Sequence, residues 1–112
     1  MALTTERCEA CTPGAPMVTE SEEREFKPQI PDWEIIEVNN VRRLRRTYTF
    51  KGWMLAVQFA DQVAEIAEAE NHHPTILIEW GKVTVTWWTH AIKGLHRNDF
   101  IMAAKTDQLL DR

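Results

Sequence analysis

Apolar and polar positions along the chain change period several times, and each change marks an element. Residues 1–18 show no apolar period, and Pro13, Gly14 and Pro16 break any helix there. They read as a flexible leader, with residues 19–112 as a single domain. Thr19-Glu20-Ser21-Glu22 sets a hydroxyl at a helix start and a glutamate three residues on, the pattern of a capping box. It predicts a short helix from Glu20 to about Lys27, stopped by Pro28 and kept from restarting by Pro31. Trp33 to Val38 reads as a strand and Val41 to about Phe50 as its partner. Asn39-Asn40 forms the turn between them, because Asn tolerates the left-handed backbone of a tight hairpin. In the second strand Leu44, Tyr48 and Phe50 share one face with Arg46, while Arg43, Arg45, Thr47 and Thr49 share the other.

From about Gly52 to Asn71 the period becomes helical. Trp53, Ala56, Val57, Ala60, Val63, Ala64 and Ala67 recur at steps of three and four. Small alanines on that stripe let the helix lie close to a sheet, with Val57, Ala60, Val63 and Ala64 expected to be buried. His72-His73-Pro74 ends it, since the residue before a proline is pushed out of the helical region. Thr75 to Trp80 and Val83 to His90 predict a second hairpin around Gly81-Lys82, with Gly81 in the first position of a type II′ turn. Val83, Val85 and Trp87 fall on one face of its second strand, and Thr84, Thr86, Trp88 and His90 on the other. A last helix spans about Arg97 to Leu110. Two hairpins joined by a helix define an α+β fold: a four-stranded antiparallel sheet with helices packed on one face. Such a sheet leaves edges and an open face, which a small chain covers most simply as a dimer.

Composition narrows the possibilities. A chain of 112 residues, 44% hydrophobic and 27% charged, is an ordinary globular domain. A net charge of -4 gives no electrostatic reason to expect nucleic acid or an anionic membrane. No run has signal-peptide character or could span a bilayer, so a cytoplasmic location is expected. Cys8 and Cys11, in C-E-A-C, supply half of a structural zinc site, and no second pair exists. They read as two mobile thiols on the leader, with zinc shared between two chains as the rival reading. The arginines Arg42, Arg43, Arg45 and Arg46 fit a solvated sheet face pairing with nearby glutamates better than an anionic partner.

Candidate chemistry is concentrated between Glu68 and Asp99, which hold three of the four histidines: His72, His73 and His90. Imidazole gives or takes a proton near neutral pH. Glu68 stands four residues before His72, so on a helix the two share a face and can touch. A metal site drawn from Glu68, His72, His73 and His90 is the natural rival, but consecutive extended residues point to opposite sides. Nucleophilic catalysis has little support, because Ser21 is the only serine and lies in the first helix. Trp80 and Trp88 are candidate walls for an aromatic ligand, against core or interface filling. Asp99 falls in the first turn of the last helix, where capping alone accounts for it.

Glu68-x-x-x-His72-His73-Pro74, Trp80 six residues past the proline, Thr89-His90, Gly94-Leu95 and Asp99 together resemble the pterin-4a-carbinolamine dehydratase family. C-E-A-C and W-G-K-V-T-V-T-W-W-T-H resemble its bacterial members associated with phenylalanine hydroxylase. The resemblance implies an α+β dimer or tetramer that dehydrates 4a-hydroxytetrahydrobiopterin to quinonoid dihydropterin, without metal or other cofactor. By position it implies His72 and His90 as general acids and His73 as the residue that binds the pterin and can act as base. It implies Glu68 and Asp99 as supporting carboxylates. His96 stands where many members have Ser or Thr to cap the last helix, and Trp80 where many have Tyr. The alternative to a dehydratase is a non-catalytic binding partner or regulator of an aromatic amino acid hydroxylase.

Overall fold

The computed structural model describes residues 2–9 and 12–111; Cys11, the second half of C-E-A-C, lies outside them. Helix α1 (Glu20–Phe26) opens on the expected capping box: the Thr19 hydroxyl accepts from Glu22 N–H, and the Glu22 carboxylate accepts from Thr19 N–H. Strands β1 (Glu34–Val38) and β2 (Val41–Thr49) form the first hairpin. Asn39 and Asn40 both take positive φ, at 52° and 65°, as a type I′ turn requires. Helix α2 (Trp53–Glu70) leads to β3 (Thr75–Glu79) and β4 (Lys82–Trp87), and α3 (Arg97–Gln108) follows. The four strands are antiparallel in the order β1-β2-β4-β3, so α2 carries the chain past β4 to the far edge.

Burial follows the period-2 pattern. Leu44 and Tyr48 of β2 and Val83, Val85 and Trp87 of β4 face α2 and α3 and are buried. Thr47 and Thr84 pair by their hydroxyls on the opposite, open face. Arg45 pairs with Glu34 across the hairpin, as expected of a solvated arginine, while Arg42, on the same side of β2 as Leu44, pairs with Glu23 of α1. Arg46, on the core side of β2, instead meets Asp107 of α3, which also accepts from Tyr48 Oη and Trp33 Nε1. The Tyr48 phenol is pushed well above its ordinary pKa, first by burial and then by Asp107.

Three expectations need correcting. On α2 the buried residues are Ala56, Phe59, Ala60, Val63 and Ala67; Val57 is half-buried, and Ala64 and Trp53 are exposed. The buried stripe is rotated because Phe59 fills the space beside Tyr48 and Phe50, with ring centroids 4.6 and 5.1 Å away. The second hairpin turns at Trp80-Gly81, since Glu79 pairs with Lys82. Gly81, at φ 74°, thus sits in the second turn position, where a type II turn takes glycine. Finally, the leader does not stand clear of the domain. Leu3 is fully buried, and Arg7, Cys8 and Glu9 bond to Glu70 and Asn98. Among the described residues no helix is long and apolar enough to cross a membrane.

Candidate active site

Helix α2 stops at Glu70 because Asn71 turns left-handed, at φ 51°. Asn71 N–H bonds to Glu68 O at 3.2 Å and His72 N–H to Ala67 O at 3.1 Å, the closing bonds of a Schellman-type end. The chain has therefore reversed before it reaches Pro74. His72 runs inward from this turn and is only 5% exposed. Its ring stacks on Trp87, with centroids 5.6 Å apart and an interplanar angle of 11°. Its Nε2–H donates to Asp99 Oδ1 at 2.7 Å.

Asp99 is fully buried, in the first turn of α3. A buried carboxylate is costly unless its lone pairs are met, and here they are. Oδ2 accepts from Thr89 Oγ1 at 2.8 Å and from His96 N–H at 2.9 Å, while the positive helix end favours the charge. Asp99 thus caps its helix and also holds His72. His96 replaces the Ser or Thr cap, its ring Nδ1 accepting from Asn98 N–H at 3.0 Å.

Glu68 does not reach His72 as the i,i+4 spacing suggests. Its carboxylate accepts from His73 Nε2 at 2.8 Å, because the left-handed Asn71 takes His72 out of helical register. This pair is open to solvent, with side chains 56% and 80% exposed, so it orients a ring more than it stabilises the fold. His90 was expected to close a strand. Instead β4 ends at Trp87, Thr89 and Gly94 form an isolated bridge, and His90–Ile92 makes a 3-10 turn closed by Lys93 at φ 50°. The loop leaves His90 exposed against Trp88, centroids 4.4 Å apart, and Arg43 lies 4.0 Å over that indole.

His72, His73 and His90, with Asn71 and Ala91, line one open cavity of about 230 Å³. The structure thus brings all three predicted histidines together, anchors one through Asp99 and one through Glu68, and sets Trp88 beside the third. It does not bring Trp80 there. That residue is 72% exposed at the β3–β4 turn, five strand positions from Thr75, or about 17 Å. Sequence reasoning missed Thr89 and Trp87 as supports, and Thr89 carried a hint only through its adjacency to His90; His96 had been marked as the residue at the cap position, and it does cap the helix. Among the described residues no three His, Cys, Asp or Glu side chains cluster so as to hold a metal ion.

Fold and site define a class: small α+β proteins that gather one buried, carboxylate-held histidine and two exposed ones at an open cavity. The sequence model described as pterin 4 alpha carbinolamine dehydratase matches residues 16–109, and the chain belongs to that family. It is 60% identical over 108 residues, 96% of each chain, to a protein of Nitrosococcus oceani named as a candidate pterin-4-alpha-carbinolamine dehydratase. A protein of Syntrophotalea carbinolica with the same designation is 54% identical over 109 residues, 97% of each chain. Among solved structures, a transcriptional coactivator/pterin dehydratase from Brucella melitensis superposes with a TM-score of 0.74 at 31% identity, covering 84% of this chain and 98% of that one. A pterin dehydratase-like protein described as a RuBisCO assembly factor in the alpha-carboxysome shares the fold, with a TM-score of 0.60 at 22% identity over 70% of this chain and 88% of that one.

Proposed function

We propose that this protein is a hydro-lyase that dehydrates pterin-4a-carbinolamine, 4a-hydroxytetrahydrobiopterin, to quinonoid dihydropterin in tetrahydrobiopterin recycling. The observation that carries the reading is the convergence of His72, His73 and His90 on one cavity, with the His72 ring fixed by a buried Asp99. Dehydration breaks the C4a–O bond. The N5 lone pair forms the C4a=N5 bond, the departing oxygen takes a proton to leave as water, and the N5 proton is released. Push from N5 makes the cleavage feasible with proton donors alone, so no metal or cofactor enters a step. His72, its ring fixed through Nε2 on Asp99, is the first acid and delivers the proton to the departing oxygen. His90 is the second acid, addressing a hydroxyl on the other face of the ring. His73, oriented by Glu68, holds the ring edge and takes the N5 proton. Trp88 is the adjoining flat wall.

Exposed Trp53, Met54, Leu55, Leu77 and Trp80 support a homodimer or homotetramer, with an edge strand open at β3. The resemblance of the leader and of W-G-K-V-T-V-T-W-W-T-H to bacterial members supports a link to phenylalanine hydroxylase in the cytoplasm. The test is stopped-flow decay of enzymatically generated 4a-carbinolamine with and without the protein. Acceleration is expected, lost in a folded His72→Ala, His90→Ala double variant, since positioned acids contribute about 10²–10⁴-fold each. Near-normal turnover in that variant would refute the acid assignments. No acceleration by the wild type would leave a non-catalytic partner of the hydroxylase as the better reading.

A further inference from the structure

The site's His–Asp pair is formed between two helix ends. His72 lies two residues past the end of α2 at Glu70, and Asp99 lies next to Asn98 in the first turn of α3. Those same two neighbours, Glu70 and Asn98, are both held by three consecutive residues of the N-terminal segment. Arg7 Nε donates to Glu70 Oε2 at 2.9 Å, and Cys8 N–H donates to Glu70 Oε1 at 3.0 Å. One residue on, Glu9 N–H donates to Asn98 Oδ1 at 2.9 Å, and Asn98 Nδ2 donates back to Glu9 O at 2.8 Å. Asn98 is fully buried, so the side-chain amide pairs with this backbone much as a neighbouring strand would. The Glu9 side chain adds an ion pair to Arg97 and lies 3.7 Å from His96 Nε2. Burial raises the Glu70 pKa, but the Cys8 N–H, Arg7 and Lys105 outweigh it and hold this carboxylate below its ordinary value.

We infer that residues 7–9 are a positioning element for the active site: a strap joining the ends of α2 and α3, which fixes the Asp99 carboxylate against His72. Its bonds described above go to Glu70, Asn98 and Arg97, beside the His72–Asp99 pair. It acts by setting the distance between two groups whose hydrogen bond orients the His72 ring, and misplacement of a reacting group by about 1 Å costs on the order of 10²-fold in rate. Glu70 and Asn98 are thereby positioning residues, and the leader is part of the working enzyme.

The kinetic arm of the test rests on the dehydratase reading; the spectroscopic arm does not. Full-length Glu70→Ala and Asn98→Ala are compared with wild type and with Ile35→Ala, a half-buried core change on β1 remote from the strap. Proton NMR follows the His72 Nε2–H signal, which its bond to Asp99 protects from exchange in the wild type. Both strap variants are expected to broaden or lose that signal and to lower kcat about tenfold with KM within about twofold. Glu70→Gln keeps an acceptor for Cys8 N–H and restores most of both. Ile35→Ala lowers Tm but leaves the signal sharp. The proposal is overturned if the strap variants keep the His72 signal and a kcat within twofold of wild type, or if Ile35→Ala disturbs the signal as much. Should Asn98→Ala fail to fold, the Glu70 pair of variants decides alone. If the wild type proves to have no dehydratase activity, the His72 signal still decides whether the strap holds the pair.

Discussion

Asp99→Asn is the sharpest single perturbation of this site, because it keeps shape and changes one charge and one donor. The orientation of the new amide is set by the backbone. His96 N–H and Thr89 Oγ1 both point at Oδ2 in the wild type, so the remaining carbonyl oxygen must stay there. The amide NH₂ then faces His72 Nε2, 2.7 Å away in the wild type. A donor meets a donor unless Nε2 gives up its proton, so the ring is driven to the neutral Nδ1–H tautomer. The protonated ring that the proposed mechanism uses as acid would carry N–H on both nitrogens and so meet the amide donor. The helix cap survives, and the loss in stability is that of a charge-assisted hydrogen bond, about 1.5–3 kcal/mol, or roughly 6–12 °C in Tm for a domain of this size. Proton transfer from His72 is lost, so kcat should fall by about 10²–10⁴ while KM moves little. Calorimetry and stopped-flow decay of the carbinolamine measure the two effects on the same sample. A folded Asp99→Asn enzyme with kcat within threefold of wild type would show that Asp99 is only a helix cap.

His73→Ala should raise KM, with stability changed by no more than roughly 0.5 kcal/mol, the size of an exposed pair; steady-state kinetics and calorimetry check both. Thr89→Val removes one of the donors to Asp99 Oδ2 without changing shape. It should cost about 1–3 kcal/mol by leaving a buried acceptor short of a partner, measured by urea denaturation. The chain's single tyrosine gives a pH prediction that can be read directly. The folded state raises the Tyr48 pKa by burial and by Asp107, so its stabilising contribution is complete below the ordinary phenol value near 10. That contribution is lost as pH climbs above it toward the folded value, because only the unfolded chain ionises there. Absorbance at 295 nm should therefore rise together with unfolding; tyrosinate appearing in a chain that keeps its native circular dichroism would contradict it.

What the sequence made legible was what local chemistry decides. The Thr19–Glu22 capping box, the Asn39-Asn40 turn and the alternation of Val83, Val85 and Trp87 are each set by neighbours two to four residues away, and each appears in the structure. The Glu68–His72 contact failed for a reason equally local but not visible in spacing. Asn71 adopts the left-handed state, and one such residue is enough to move Glu68 from His72 to His73. The His72–Asp99 bond spans 27 positions, and the strap reaches from Glu9 to Asn98 across 89. Neither leaves a periodic trace, since tertiary packing alone brings these residues together. Trp80 shows the converse. Its six-residue spacing from the proline was a motif feature, yet a strand of that length necessarily takes it to the opposite end of the sheet.

The three histidines share a residue type and a cavity but are held in very different ways, and this bears on how one site could serve a flat ring. His72 has little freedom: its ring is stacked on Trp87, bonded to Asp99, and set by a reversed helix end. His73 and His90 stand in solvent, one on an exposed carboxylate and the other against an indole under a guanidinium. A fixed acid supplies the pre-organised geometry that proton transfer rewards, because no ordering entropy is spent when substrate arrives. Exposed partners on separate loops can adjust to a ring whose hydroxyl lies on either face. Rigidity is thus concentrated where two helix ends meet, and adaptability where the chain turns at the cavity mouth. In the mechanism proposed above, damage to the Asp99 side should therefore appear in kcat, and damage to the Glu68 side mainly in KM.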